Sequence, residues 1–344
     1  MTGDNGTRGG SRARHLAEDA RVAHANGKTA AALRCYDDAL AELGANSDDD
    51  LLVEVLRWKG TVLRESGHTE AASRLYRQSL MVAERAGLQA ARAHALNCLA
   101  IIAQRRGDLR ETERLYRTAA EIATLVRDHR LLGMIEQNRG VLANMRGDFV
   151  AAEKRYAVSL RAFERAGDSE AMSWVLNNIG MLRTRRGEYE AAQEAFERAL
   201  LIAIVRKDAA VESILFLNLG EMWLAAGDLE RAERSCGRSL ADAIRRGDRL
   251  TTAEALKCRA KIERRRGAYE RGLASLTQAQ QEAAASDDRL LGAEILREFG
   301  ELWCAQGDSA GARTAWCNAL QGFRMAGALH DAANVEQLLQ QLPS

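Results

Sequence analysis

The sequence predicts an all-α solenoid: about eight helix-turn-helix units stacked in a row and closed by one further helix. Three observations predict it. Eight glycines, Gly27, Gly67, Gly107, Gly147, Gly187, Gly227, Gly267 and Gly307, recur at a fixed interval of 40 residues, which marks one supersecondary unit copied along the chain. The single proline, Pro343, lies at the very end, so nothing interrupts a helix in the body of the chain. Hydrophobic residues make up 47% of the 344 and aromatics only 5%, so alanine and leucine must do most of the packing. An array of this kind grows by addition, and one elongated domain is expected.

In rows of 40, the first helix of each unit is written in three columns. An apolar column runs Leu16, Leu56, Leu96, Glu136, Leu176, Phe216, Leu256, Leu296, broken only by Glu136. Four residues later comes a small column, Ala20, Gly60, Ala100, Gly140, Gly180, Gly220, Ala260, Gly300. Two further on every row has an aliphatic, from Val22 to Leu302. These spacings share one broad helix face, and its small residues let a second helix approach closely. The periodic glycine then ends the helix, where a left-handed residue costs least without a Cβ.

The second helix reads small, large, small. Ala32, Ala72, Thr112, Ala152, Ala192, Ala232, Gly272 and Ala312 are followed four residues on by Tyr36, Tyr76, Tyr116, Tyr156, Phe196, Cys236, Leu276 and Trp316. Another small column, from Ala39 to Ala319, follows three later. This is an amphipathic helix with its ring against the first. Asp48, Asp128, Asp168, Asp208, Asp248 and Asp288 then suit the N-cap of the next first helix. Residues 12–327 hold the eight units by this reading. Residues 328–342 form an amphipathic helix that caps the last one, and residues 1–11 form a disordered leader.

Gly180, Ala192, Phe196 and Ala199, and likewise Gly60, Ala72, Tyr76 and Leu80, fall at the spacings of the tetratricopeptide repeat. The chain resembles the longer, 40-residue variety found in the Pins/LGN adaptor family and in regulatory regions of bacterial transcription activators. HEAT and armadillo repeats share the length, but the small-large-small ladder favours the tetratricopeptide form. The resemblance implies a right-handed superhelix with first helices lining a concave groove.

The formal charge of +1 provides no field to collect nucleic acid or a membrane surface. The N-terminal residues lack the apolar core of a signal peptide, and no 18-residue stretch reads as a membrane span. A cytoplasmic monomer is expected. The six cysteines show no zinc spacing and read mostly as small buried thiols in a reducing compartment. No phosphate loop, metal signature or nucleophile-base set is present, so neither a cofactor nor catalysis is expected. The Arg-Gly-Asp triplets at 106–108, 146–148 and 246–248 read as a helix end, a C-cap and an N-cap. The basic runs read as solvated helix ends, with Arg105 and Arg185 near the groove and available to an acidic ligand.

Three rows place asparagine two residues before the small column: Asn138, Asn178 and Asn218, with Gln137 and Asn177 beside two of them. An amide both donates and accepts, so such a ladder can pair with a peptide main chain. Met134, Trp174 and Ile214 lie six residues before the small column, and Val141 and Met181 just after it. The resemblance to the Pins-type groove implies a ligand role for Asn138, Asn178 and Asn218. Arginines of that groove are replaced here by Met134, Trp174 and Ile214, which favours a more apolar ligand. Glu54, Glu254, Glu294, Lys257, Lys261, Arg264 and Arg297 give the groove charged ends. The expected function is a non-catalytic scaffold that binds a peptide or helical segment of a protein partner, or else a regulatory peptide sensor that controls one.

Overall fold

A computed structural model describes residues 5–44, 48–285 and 288–342. Among these the chain forms seventeen helices and no strand. Residues up to Asp168 form one compact unit and those from Ser169 another. The first unit holds α1 (Asn5–Ala25), α2 (Thr29–Leu43), α3 (Asp49–Glu65), α4 (Thr69–Arg85), α5 (Gln89–Arg105), α6 (Leu109–Leu125), α7 (His129–Met145) and α8 (Phe149–Ala166). The second holds α9 (Ser169–Arg185), α10 (Tyr189–Arg206), α11 (Ala209–Ala226), α12 (Leu229–Arg246), α13 (Arg249–Arg265), α14 (Tyr269–Ala285), α15 (Arg289–Gln306), α16 (Ser309–Ala326) and α17 (Leu329–Gln341). α1 begins within the stretch expected to be a disordered leader. With no proline to stop it, the helix extends back to Asn5, and residues 1–4 lie outside those described.

Glycine and aspartate punctuate the helices as their columns predict. The periodic glycines all take positive φ, for example 75° at Gly107. Asp48, Asp128, Asp208, Asp248 and Asp288 accept a hydrogen bond from the amide three residues on, at 2.9–3.1 Å. Asp108, Asp148, Asp228 and Asp308 do the same for second helices. Asp168 also accepts from Arg130 Nε at 2.7 Å. The Arg-Gly-Asp triplets are thereby helix junctions. Second helices mostly end on glycine too, but Arg127 (φ 57°) and Lys207 (φ 55°) hold the same left-handed turn with a side chain.

The large column seats on the small one sixteen residues earlier. A Cβ at Gly60 would lie 2.6 Å from the Tyr76 ring, and one at Gly180 2.6 Å from Phe196. Glycine is therefore a packing requirement there, since real side chains essentially never approach so closely. Tyr36, Tyr76, Tyr116, Tyr156 and Phe196 are all fully buried. Burial pushes the Tyr36 and Tyr76 phenols up to about 12.

Glu136, the break in the apolar column, is buried within a charge network. It accepts from Arg139 Nη1 at 2.8 Å and from Arg155 Nη1 at 3.1 Å, and Arg139 Nη2 reaches Glu113 at 2.6 Å. Cys236 and Cys258, expected as thiols, are joined by a disulfide between α12 and α13, because the large column of one repeat meets the first helix of the next. α11 does contain an 18-residue apolar stretch, with mean hydropathy 1.3 and half of it buried. Its apolar faces pack on α9, α10, α12 and α13 together. α17 closes its unit, burying Ala332, Val335 and Leu342 with Trp316 and Phe323 of α16.

Within each unit a second helix packs on its own first helix and on the next. First helices also touch one another: α1 with α3, α3 with α5 and α5 with α7, then α9 with α11, α11 with α13 and α13 with α15. First helices therefore form the tighter layer of each unit and second helices the looser one.

Candidate functional site

The first-helix layer carries the residues singled out by sequence. In the first unit, Met134 is 36% exposed on α7, while Gln137, Asn138 and Val141 are half-buried. In the second, Met181 is 36% exposed, Trp174, Asn178, Ile214 and Asn218 are half-buried, and Asn177 is buried. Arg105 and Arg185 are exposed, and Arg105 Nη1 lies 3.5 Å from the Arg64 carbonyl oxygen.

The amides pair with one another across repeats. Asn138 Nδ2 donates to Asn97 Oδ1 at 3.2 Å, and Asn218 Nδ2 donates to Asn177 Oδ1 at 2.7 Å. The acceptors are buried, at 3% and 4% exposure. One donor and one acceptor of each pair thus hold adjacent first helices in register, and each donor asparagine keeps a second N–H and its carbonyl for other partners. Asn97 escaped the sequence reading because its partner lies 41 residues away, one more than the repeat length, so no column joins them.

The charged end of the second unit is largely neutralised internally. Lys257, 7% exposed, bridges Glu254 on its own helix at 2.7 Å and Glu294 on α15. Burial alone would lower its pKa, but the two carboxylates more than offset this and raise it to about 12. Lys261 reaches Glu221 on α11 at 3.1 Å, and Arg264 reaches Glu301 at 3.5 Å and Glu298 at 3.7 Å on α15. The basic runs are paired in the same way, Arg106 with Glu70 and Arg266 with Glu233, each at 2.6 Å.

Among the described residues no group of three or more His, Cys, Asp or Glu is placed to hold a metal ion. Buried polar pairs between helices, with apolar side chains in the open, make a surface suited to holding another chain.

A tetratricopeptide-repeat family model matches residues 91–165 and 137–204. Over that span the chain matches the tetratricopeptide repeat, and its solved-structure neighbours share the helical-repeat fold. No curated protein matches its sequence. Among solved structures it is similar to a signal-transduction ATPase with numerous domains and a tetratricopeptide-repeat sensor, PH0952 from Pyrococcus horikoshii, with 16% identity and a TM-score of 0.66 over 95% of this chain. That match covers 47% of PH0952, so this chain spans just under half the length of that protein. A Rap protein complexed with competence and sporulation factor is similar at 12% identity and TM-score 0.60, covering 96% of this chain and 97% of that one. The apo quorum sensor NprR from B. thuringiensis is similar at 11% identity and TM-score 0.58, covering 95% and 97%. At these identities the likeness is one of tetratricopeptide fold.

Proposed function

We infer that this tetratricopeptide protein is a non-catalytic interaction scaffold, and that the first-helix face of α9 and α11 captures a peptide or helical segment of a partner protein. The observation that carries this reading is the mixed surface of α9 and α11: a half-buried indole, Trp174, and an exposed Met181 on α9, Ile214 on α11, and between the two helices an amide pair that retains further hydrogen-bonding capacity. A rigid aromatic anchor surrounded by adaptable polar groups is the usual make-up of a binding hot spot, worth about 2 kcal/mol or more on truncation. Met134, Gln137, Asn138 and Val141 give α7 a surface of the same chemistry in the first unit. Arg105 would add charge to the first unit's surface and Arg185 to the second's.

A second reading, a regulatory peptide sensor, is favoured by the solved structures it is similar to: one is a Rap protein complexed with competence and sporulation factor and another a quorum sensor. The two readings share a ligand class and differ in whether a peptide changes what the protein binds elsewhere. The test is a pull-down from the native cell, read by mass spectrometry, with the unaltered chain beside a Trp174→Ala, Asn178→Ala double variant. Loss of a specific partner with unchanged helicity and melting supports the surface, whereas undiminished capture sinks it. Partner exchange when peptides are added would favour the sensor.

A further inference from the structure

The first unit has its own cleft on the first-helix layer, of about 460 Å³, away from the residues proposed above. α3 contributes a continuous stripe, Asp50, Glu54, Arg57 and Trp58, at the i, i+4, i+7, i+8 spacing of one helix face. Arg14, Ala17 and Glu18 of α1 and Ala90, Ala91 and His94 of α5 form its two walls. Arg14 is held by Asp48 at 3.2 Å and Glu18 by Arg21 at 3.0 Å. Asp50, Glu54 and Arg57 make no ion pair among the described residues, unlike most charges of the second unit's first helices. The Trp58 ring lies under two guanidinium groups, Arg21 at 5.1 Å and Arg57 at 5.8 Å.

Taking the first-helix layer as the interaction surface, we propose that this cleft binds a short extended peptide segment carrying a basic side chain and an acidic one two or three residues apart. Complementarity of charge and length selects this occupant. At about 1.5 Å per residue of helix, Arg57 lies about 10 Å along the axis from Asp50 and about 4–5 Å from Glu54. An extended peptide advances about 3.3 Å per residue, so charges two or three residues apart span about 7–10 Å. The basic group meets Asp50 and Glu54, and the carboxylate meets the half-buried Arg57, where a charge-assisted fork is strongest. Trp58 offers an apolar surface at the Arg57 end. His94 reports occupancy: burial, with the Arg57 charge beside it, lowers its pKa to about 4, and a carboxylate on Arg57 would raise it.

The test titrates the full chain with acetyl-Lys-Ala-Ala-Glu-amide and with its neutral counterpart acetyl-Gln-Ala-Ala-Gln-amide, following His94 imidazole shifts by NMR and affinity by calorimetry. The charged peptide is expected to bind about tenfold tighter, the worth of one charge-assisted hydrogen bond. Glu54→Gln and Arg57→Gln should each remove most of that preference, and Glu54, being exposed and unpaired, can be changed without threatening the fold. The Trp174→Ala, Asn178→Ala variant should bind the peptide unchanged. Equal affinity for both peptides, no saturable binding, or binding indifferent to both cleft substitutions overturns the proposal. Each of these can occur while Trp174-dependent partner capture persists, so failure of the cleft and failure of the wider reading are separable.

Discussion

Two units built on one repeat dispose of their polar residues in opposite ways. In the first unit, buried charge points into the space between helix layers, where Glu136 and Arg139 of α7 meet Glu113 of α6 and Arg155 of α8. Its open first-helix face keeps Asp50, Glu54 and Arg57 without ion pairs. In the second unit, charge runs along the first-helix layer and neutralises itself from repeat to repeat, Lys261 with Glu221, Lys257 with Glu294 and Arg264 with Glu301. Both units also contain one asparagine pair between first helices. A charged residue on this face is therefore available for recognition only where no neighbouring repeat supplies its counter-charge.

The sharpest test of that contrast removes one cation from each unit. Arg139→Ala leaves the Glu136 carboxylate, which is 4% exposed, with Arg155 as its remaining cation, and should cost about 3 kcal/mol by urea denaturation. Lys257→Ala leaves Glu254 and Glu294, which are 35% and 26% exposed and partly solvated, so about 2 kcal/mol is expected. Glu136→Leu should cost less than Arg139→Ala, because Arg139 keeps Glu113 and the apolar column is restored.

Acid should act on the first unit through His94. Its pKa of about 4 in the folded chain lies below the ordinary 6.5, so neutral imidazole is favoured by folding. The stabilisation is complete above about pH 6.5 and is lost as pH falls toward about 4, to a total on the order of 2–3 kcal/mol. Urea midpoints measured across that window should fall, and His94→Gln should flatten the part of the fall due to this group.

Removing a cap should affect both units alike. Asp128→Ala in the first and Asp208→Ala in the second each lose one N-cap hydrogen bond and should cost about 1 kcal/mol in thermal or urea melts. The smallest effect has the opposite sign. Arg127→Gly and Lys207→Gly relieve a left-handed side-chain residue and should each stabilise their unit by up to about 1 kcal/mol. A larger gain in one unit would show that its second-helix turn carries more strain.

The helices were legible because each boundary is a local matter. A glycine able to take positive φ and an aspartate whose carboxylate reaches an amide three residues on are written within a few positions of one another. The small-large-small ladder was equally legible, because Gly60 and Tyr76 are sixteen residues apart in every row. Glu136 was visible as an anomaly, but its explanation lies with Glu113 and Arg155 on two other helices. The asparagines looked like a row of vacant amides until Asn97 and Asn177 proved to be acceptors from the next repeat. His94 gave no signal in the sequence for the same reason, since Arg57 and Asp128, charges that act on it, lie on α3 and just before α7.

The sequence by itself determined the period, the helix ends, the seating of large residues on small ones and the tetratricopeptide class, because these depend on spacings within one repeat. Tertiary structure alone decided which polar residues are spent on the fold and which remain open. Pairing between repeats depends on which side chains come within hydrogen-bond reach across a helix interface, and a column of residue types does not contain that distance.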